Sequence, residues 1–328
     1  MKKIVTLLAT LILVFCLFGC SKAKVSLFTA SNFLDTPSNH SISSVNETLT
    51  YKVSYKQAEN ENTLVISIDS EKSTYTSVLI NTTYNEKACY LLETSLNMVG
   101  EIDNAGQKTA LNDTITTKCY FLGVENSLSP LYSERTVKSN SIVRTSAVNA
   151  AAHTYEVGFY DYNVKTVYEN NTAKVSLTVN QKPASDNNFV SYENHEFSNV
   201  DNKIAYVDNE LLLFAPRAMT LTNATSKSFY TIDAVSVKNH KMALSSIASE
   251  PTKTIAPENY FNGIEKVLDV LCYGVSFTID SNASGSSIVA YYADANNKNE
   301  RARMIMAETS ASYGLGTYTY SITQAKNN

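Results

Sequence analysis

The most constraining feature of this chain is a two-residue hydrophobic period that recurs along most of its length. In Glu47-Thr48-Leu49-Thr50-Tyr51-Lys52-Val53-Ser54-Tyr55, the apolar residues Leu49, Tyr51, Val53 and Tyr55 alternate with Thr48, Thr50, Lys52 and Ser54. Successive side chains of a strand point to opposite faces, so this pattern suits a half-buried strand and no helix. Leu64, Ile66 and Ile68 alternate in the same way, as do Tyr155, Val157 and Phe159. Further strands are expected over 74–80, 87–99, 114–122, 164–168, 174–179, 230–237, 263–268, 271–280, 287–292, 301–306 and 316–323. No strand–helix alternation of the kind that builds a parallel sheet is present.

Composition agrees. Tyr is abundant at 21 residues and Trp is absent. Gly is only 10 of 328 residues, well under the usual share of about 7%. Turns therefore fall to Asn and Asp, which tolerate positive φ. Asp103-Asn104-Ala105-Gly106, Asn112-Asp113 and Asp208-Asn209 are read as such punctuation, and Glu169-Asn170-Asn171-Thr172 as a hairpin tip. Pro130 is expected in a loop or at a sheet edge. The polar stretch 181–202 reads as irregular. Asp208 could cap a short helix through Phe214, limited by Pro216. Its apolar run Leu211 to Phe214 would either plug the open end of the sheet or form a flap over it.

The expected fold is all-β: a large antiparallel sheet, strongly curved into a half-barrel or folded into a sandwich, with one or two short helices. It would form one body over 47–328. The alternative is two β subdomains split near 181–202.

The amino terminus carries a different message. Lys2 and Lys3 precede an apolar run from Ile4 to Phe18, closed by Leu17-Phe18-Gly19-Cys20. These are the parts of a secretory signal peptide. A membrane-spanning helix needs about 20 apolar residues, more than this run offers. The Leu-x-Gly-Cys ending resembles the lipobox of bacterial lipoproteins. That resemblance implies cleavage after residue 19, diacylglyceryl attachment at Cys20, and a mature chain outside the cytoplasm, lipid-anchored to the cell membrane or, in a diderm host, to the outer membrane. Residues 1–20 would be the signal with its lipidated cysteine and 21–46 a tether, which spans up to ~80 Å if extended. Within the body, Leu49-Thr50-Tyr51-Lys52-Val53, Tyr206-Val207-Asp208-Asn209 and Arg217-Ala218 resemble segments of uncharacterised secreted β-proteins of bacteria, some of which look like the LolA-type open barrel. That resemblance implies a curved antiparallel sheet with an apolar concave face.

Chemistry is sparse. Without Lys2 and Lys3, 25 basic residues face 31 acidic ones, a net charge of −6. With no basic cluster, that balance argues against nucleic-acid binding. His40, His153, His195 and His240 form no HExxH motif, and neither GxSxG nor a phosphate-binding glycine loop occurs. Glu193-Asn194-His195-Glu196 reads as a solvated loop, with a metal site as the alternative. Cys89, Cys119 and Cys272 lack zinc spacing; buried free thiols are expected, with one disulfide between two of them as the alternative. No catalytic, cofactor or metal residue is assigned.

The expected role is a non-enzymatic binding or scaffolding module of the cell envelope. Its partners would be the membrane, through the lipid on Cys20, and an apolar ligand or an envelope protein. A carrier holding an apolar or lipid ligand in the curved sheet and a cell-envelope hydrolase are the alternatives. The lining of the sheet's interior discriminates them: a pocket of apolar side chains favours the carrier, paired carboxylates in a cleft the enzyme.

Overall fold

The computed structural model describes residues 45–59, 64–123, 128–144, 154–169, 172–186, 189, 191–197, 206–235, 237–279 and 288–327. The expected signal peptide, Cys20, His40, His153 and nearly all of the expected tether lie outside the described residues.

Eighteen strands follow one another in the chain. They are β1 (Asn46–Gln57), β2 (Leu64–Ile68), β3 (Thr74–Tyr84), β4 (Lys87–Asn104), β5 (Gln107–Leu122) and β6 (Ser129–Arg144). Then come β7 (Tyr155–Glu169), β8 (Thr172–Gln181), β9 (Tyr192–Phe197), β10 (Ser226–Asp233), β11 (Lys238–Ser246) and β12 (Thr252–Ile255). The last six are β13 (Phe261–Asn262), β14 (Glu265–Lys266), β15 (Val270–Ile279), β16 (Ile288–Ala293), β17 (Met304–Ser310) and β18 (Gly316–Asn327). All join one antiparallel sheet, apart from a short parallel pairing of β13 with β18. Across the sheet the order is β9-β8-β7-β6-β5-β4-β3-β1-β18-β17-β16-β15-β11-β10. β2 continues the line of β3 along β4, and β12 that of β11 along β15.

Local chemistry explains the meander. Asn85 and Glu86, both at positive φ, close β3 onto β4, and Ala105 and Gly106 close β4 onto β5. Two-residue turns of this hand match the twist of the flanking strands. Pro130 does lie in a strand, at the end of β6 where the ladder with β5 shifts register; a bulge is where a strand tolerates proline. Asn112-Asp113 is not a turn but the middle of β5. Glu193 to Glu196 belong to β9, an exposed strand at the sheet's edge.

The sheet curls until its ends approach. Ile232 of β10 is buried with Val164, Val175 and Leu177 of β7 and β8, and the Tyr192 hydroxyl donates to the Ala234 carbonyl. No ladder joins β9 to β10 among the described residues, so the curl stays open. About eight strands make a barrel that its own side chains just fill; a wider curl needs another filler. Residues 206–219 supply it. Tyr206 bridges to Tyr230 of β10, and the chain then turns inward through two 3₁₀ turns, Asn209–Leu211 and Ala215–Ala218. Asp208 caps the first by accepting the Glu210 amide at 2.8 Å. Leu211, Phe214, Ala215, Ala218 and Met219 are buried against Leu49, Tyr51, Leu79 and Phe121, with the Phe121 and Phe214 rings 5.6 Å apart. Each large side chain so buried contributes about 1.5–3 kcal/mol. The segment is a plug, made of 3₁₀ turns rather than an α-helix, and Pro216 begins its second turn rather than ending the first.

Candidate functional site: an apolar cavity beside a buried aspartate

The plug occupies the end of the curl where β1 begins. At the other end the concave face is only partly filled, because β5 and β6 separate. Their ladder runs from Leu122↔Ser129 to Thr114↔Lys138 and stops. Beyond it, among the described residues, β5 continues paired only with β4, and β6 only with β7. At the point of separation sits Asp113, 2% exposed. Its carboxylate accepts from the Asn140 amide at 2.9 Å, Asn140 Nδ2 at 3.1 Å and Ser139 Oγ at 2.7 Å. A side chain thus takes the backbone donor that the next carbonyl of the ladder would have taken. Burial raises the Asp113 pKa from its ordinary value, and these three donors offset that only in part.

The separation opens a cavity of about 220 Å³ inside the curl. One wall is aliphatic: Ile66, Leu96, Met98, Ile102, Leu111 and Ile115. Tyr318 and Tyr320 of β18 face it, and Asp113, Ser139 and Asn140 form its polar rim. Strand parity places it on the concave face: Leu111, Asp113 and Ile115 are in step with Cys119 and Phe121, which are buried with the plug. The floor is a small cluster of Leu64, Ile66, Ile102, Leu111, Ala311 and Leu315.

A second polar group lies where the plug meets β6 and β7. Asp208 accepts from Ser133 Oγ at 2.6 Å and from the Tyr168 hydroxyl. Glu210 lies 3.9 Å from Arg135. Burial raises both carboxyls from their ordinary values, and for Glu210 the Asp208 charge adds to it while Arg135 opposes it. These are paired carboxylates, but the space beside them is about 40 Å³. One ordered water needs roughly 10–15 Å³ on this measure, so the space has room for only a few waters. These contacts join the plug to β6 and β7.

The plug is tied on its other side by a buried ionic triad. Glu47 of β1 accepts from Arg217 Nη1 at 2.7 Å and from Arg303 Nε at 2.9 Å. Arg303 also donates to the Asn299 carbonyl at 3.0 Å and to Asn327 Oδ1 at 3.2 Å. Burial alone would raise the Glu47 pKa, but the two guanidiniums outweigh it and hold the carboxyl below its ordinary value.

The three body cysteines are free and buried. Burial pushes each thiol up, Cys272 to about 12, so none is a ready thiolate nucleophile. His195 packs between Tyr192 and Phe197 on β9. Among the described residues no group of three or more His, Cys, Asp or Glu is placed to hold a metal ion. Asp113 and Glu47 were not singled out from the sequence. Their signal was there: each is an acid at an inward position of an alternating strand, Asp113 between Leu111 and Ile115, Glu47 two residues before Leu49.

No protein-family model matches the chain, and no curated protein matches it in sequence. Among solved structures, it is similar to the crystal structure of a β-barrel-like protein, of a domain of unknown function, from Brucella abortus. The two share 8% identity with a TM-score of 0.47, over 88% of this chain and 100% of that one. A likeness so slight transfers no role.

Proposed function

We propose that this chain is a lipid-anchored extracytoplasmic binding module that holds a small apolar or amphipathic molecule inside its curved sheet and does no chemistry on it. The cavity between β4, β5, β6 and β18 carries this reading. An apolar cavity of about 150 Å³ stays dry and takes up benzene; one of about 220 Å³ has room for a two-ring aromatic or a short acyl segment. The asymmetry of the lining sets the pose. The apolar part packs on Leu96, Met98 and Ile115, and one hydrogen-bonding group faces Ser139, Asn140 and Asp113. An ionised carboxylate offers about four lone-pair sites, and three donors already fill most of those on Asp113, so a single further donor is the best fit.

Leu96→Phe tests it by filling the space while preserving the strand. Wild type should bind naphthalene or 2-naphthol, and the variant should bind at least tenfold more weakly with an unchanged circular dichroism spectrum. Equal binding by a folded variant would remove the cavity from the account.

A further inference from the structure

Six large apolar side chains are exposed among the described residues, and four of them, Phe261, Ile264, Leu268 and Leu271, lie within eleven residues. Ile264 is 97% and Leu268 67% exposed. They sit on and just after the β13–β14 hairpin, whose turn is made at Gly263 with φ +70°. The hairpin is firmly based: Val267 donates to the Tyr260 carbonyl at 2.9 Å, and Tyr260 and Val270 are buried in the core. It is an apolar projection whose base is tied to the core.

Its place in the fold indicates what it meets. Phe261 and Asn262 pair with Gln324 and Ala325 of β18, and Ala325 pairs with Leu49 of β1. Adjacent strands lie about 4.8 Å apart, so the hairpin is about 10 Å from the start of β1. That is the end at which the chain arrives from residues 1–44, with the lipobox cysteine at position 20. The cavity, lined by Ile66, Leu111 and Tyr318, is at the opposite end. The exposed charges around the hairpin, Glu258, Glu265 and Asp269 against Lys266, offer no attraction to anionic headgroups, so the contact must rest on the apolar side chains.

We infer that the β13–β14 hairpin is a membrane contact, with Ile264 and Leu268 inserted among the acyl chains of the bilayer that holds the anchor. The inference rests on the anchorage at Cys20 proposed above. It orients the body, with the plugged end against the bilayer and the cavity facing away.

The test uses the full chain, lipidated in the cell, purified and reconstituted into phosphatidylcholine vesicles. Ile264→Cys, Leu268→Cys and, at the far end, Val65→Cys are each labelled with an environment-sensitive fluorophore; the native thiols Cys89, Cys119 and Cys272 are buried. Nitroxide-bearing lipids should quench the 264 and 268 labels several-fold and leave the 65 label untouched, while aqueous iodide does the reverse. Equal accessibility of all three labels to iodide, on protein that floats with the vesicles, would overturn the contact and leave the anchor standing. Protection at 264 and 268 without lipid quenching would also overturn it, in favour of a protein partner. A chain that does not float with vesicles overturns the anchor and the contact together; naphthalene binding to the same sample reports separately on the cavity.

Discussion

Glu47→Gln should be among the most damaging single substitutions outside the apolar core. The wild-type carboxylate is 2% exposed and lies between the Arg217 and Arg303 side chains, 3% and 0% exposed. Removing its charge leaves the buried Arg217 guanidinium, whose Nε is already unpaired, without a carboxylate, and leaves Arg303 only the longer 3.8 Å pair with Glu300. Breaking a buried pair by deleting one partner costs about 3–5 kcal/mol. At about 2–4 °C of melting temperature per kcal/mol for a body of this size, the midpoint should fall by roughly 6–20 °C. Thermal unfolding followed by far-ultraviolet circular dichroism measures it. The pH dependence has a defined sign. The Glu47 pKa is depressed in the fold, so its contribution is complete above the ordinary carboxylate value and is lost as pH falls through the folded value. The gap between wild type and Glu47→Gln should therefore be full at pH 7 and narrow in acid. Replacing the cluster together, Glu47→Leu with Arg217→Met, Arg303→Met and Glu300→Gln, should recover most of the loss; Glu300 is included because it is buried and lies 3.8 Å from Arg303, and would otherwise be left as an unpaired charge. A Glu47→Gln protein within about 0.5 kcal/mol of wild type at pH 7, the range of an ordinary surface change, would refute the triad as the lock on the plug.

Other outcomes follow from the same packing. Val53→Asp puts a charge at a position with 0% exposure and should cost several kcal/mol, against about 0.5 kcal/mol or less for Lys52→Gln beside it; equal melting points would refute the face assignment of β1. Phe214→Ala should cost about 3–5 kcal/mol, and a variant that keeps wild-type stability would make residues 206–219 a flap rather than a plug. Denatured, unreduced body should show reactive thiols at Cys89, Cys119 and Cys272, and native protein none of them; fewer than three on denaturation would reveal a disulfide. Cys20→Ala should leave a precursor that no longer partitions with lipid in detergent phase separation, and unchanged partitioning would refute the lipobox.

The alternation in β1 was legible because one face is buried from Glu47 to Val53: Leu49, Tyr51 and Val53 are inside and Lys52 is on the other face. The all-β class and the single antiparallel sheet follow from many such strands. β6 was missed because Pro130 breaks the pattern at a bulge, and β11 because its first residues, Lys238-Asn239-His240-Lys241, carry no apolar alternation. β9 reads as a loop because an edge strand with little to bury needs no alternation. The 3₁₀ form of the plug escaped for a related reason. A run such as Leu211-Leu212-Leu213-Phe214 is apolar all round and carries no period, since it is enclosed by the sheet rather than resting on it. The cavity was illegible for a subtler one. It depends on where two ladders stop, and the residue that stops them, Asp113, is of a type that also makes turns. Only its place in step with Leu111 and Ile115 distinguishes the two roles.

The central claim is that the distal cavity takes an apolar guest. Methyl NMR of the methionines tests it directly, because Met98 lines the cavity while Met219, Met242 and Met304 are buried in the packed core around the plug. Titrated with 2-naphthol, the Met98 methyl should shift and saturate, with the three core methyls still. A titration that leaves Met98 unmoved, or shifts the core methyls instead, would contradict the account.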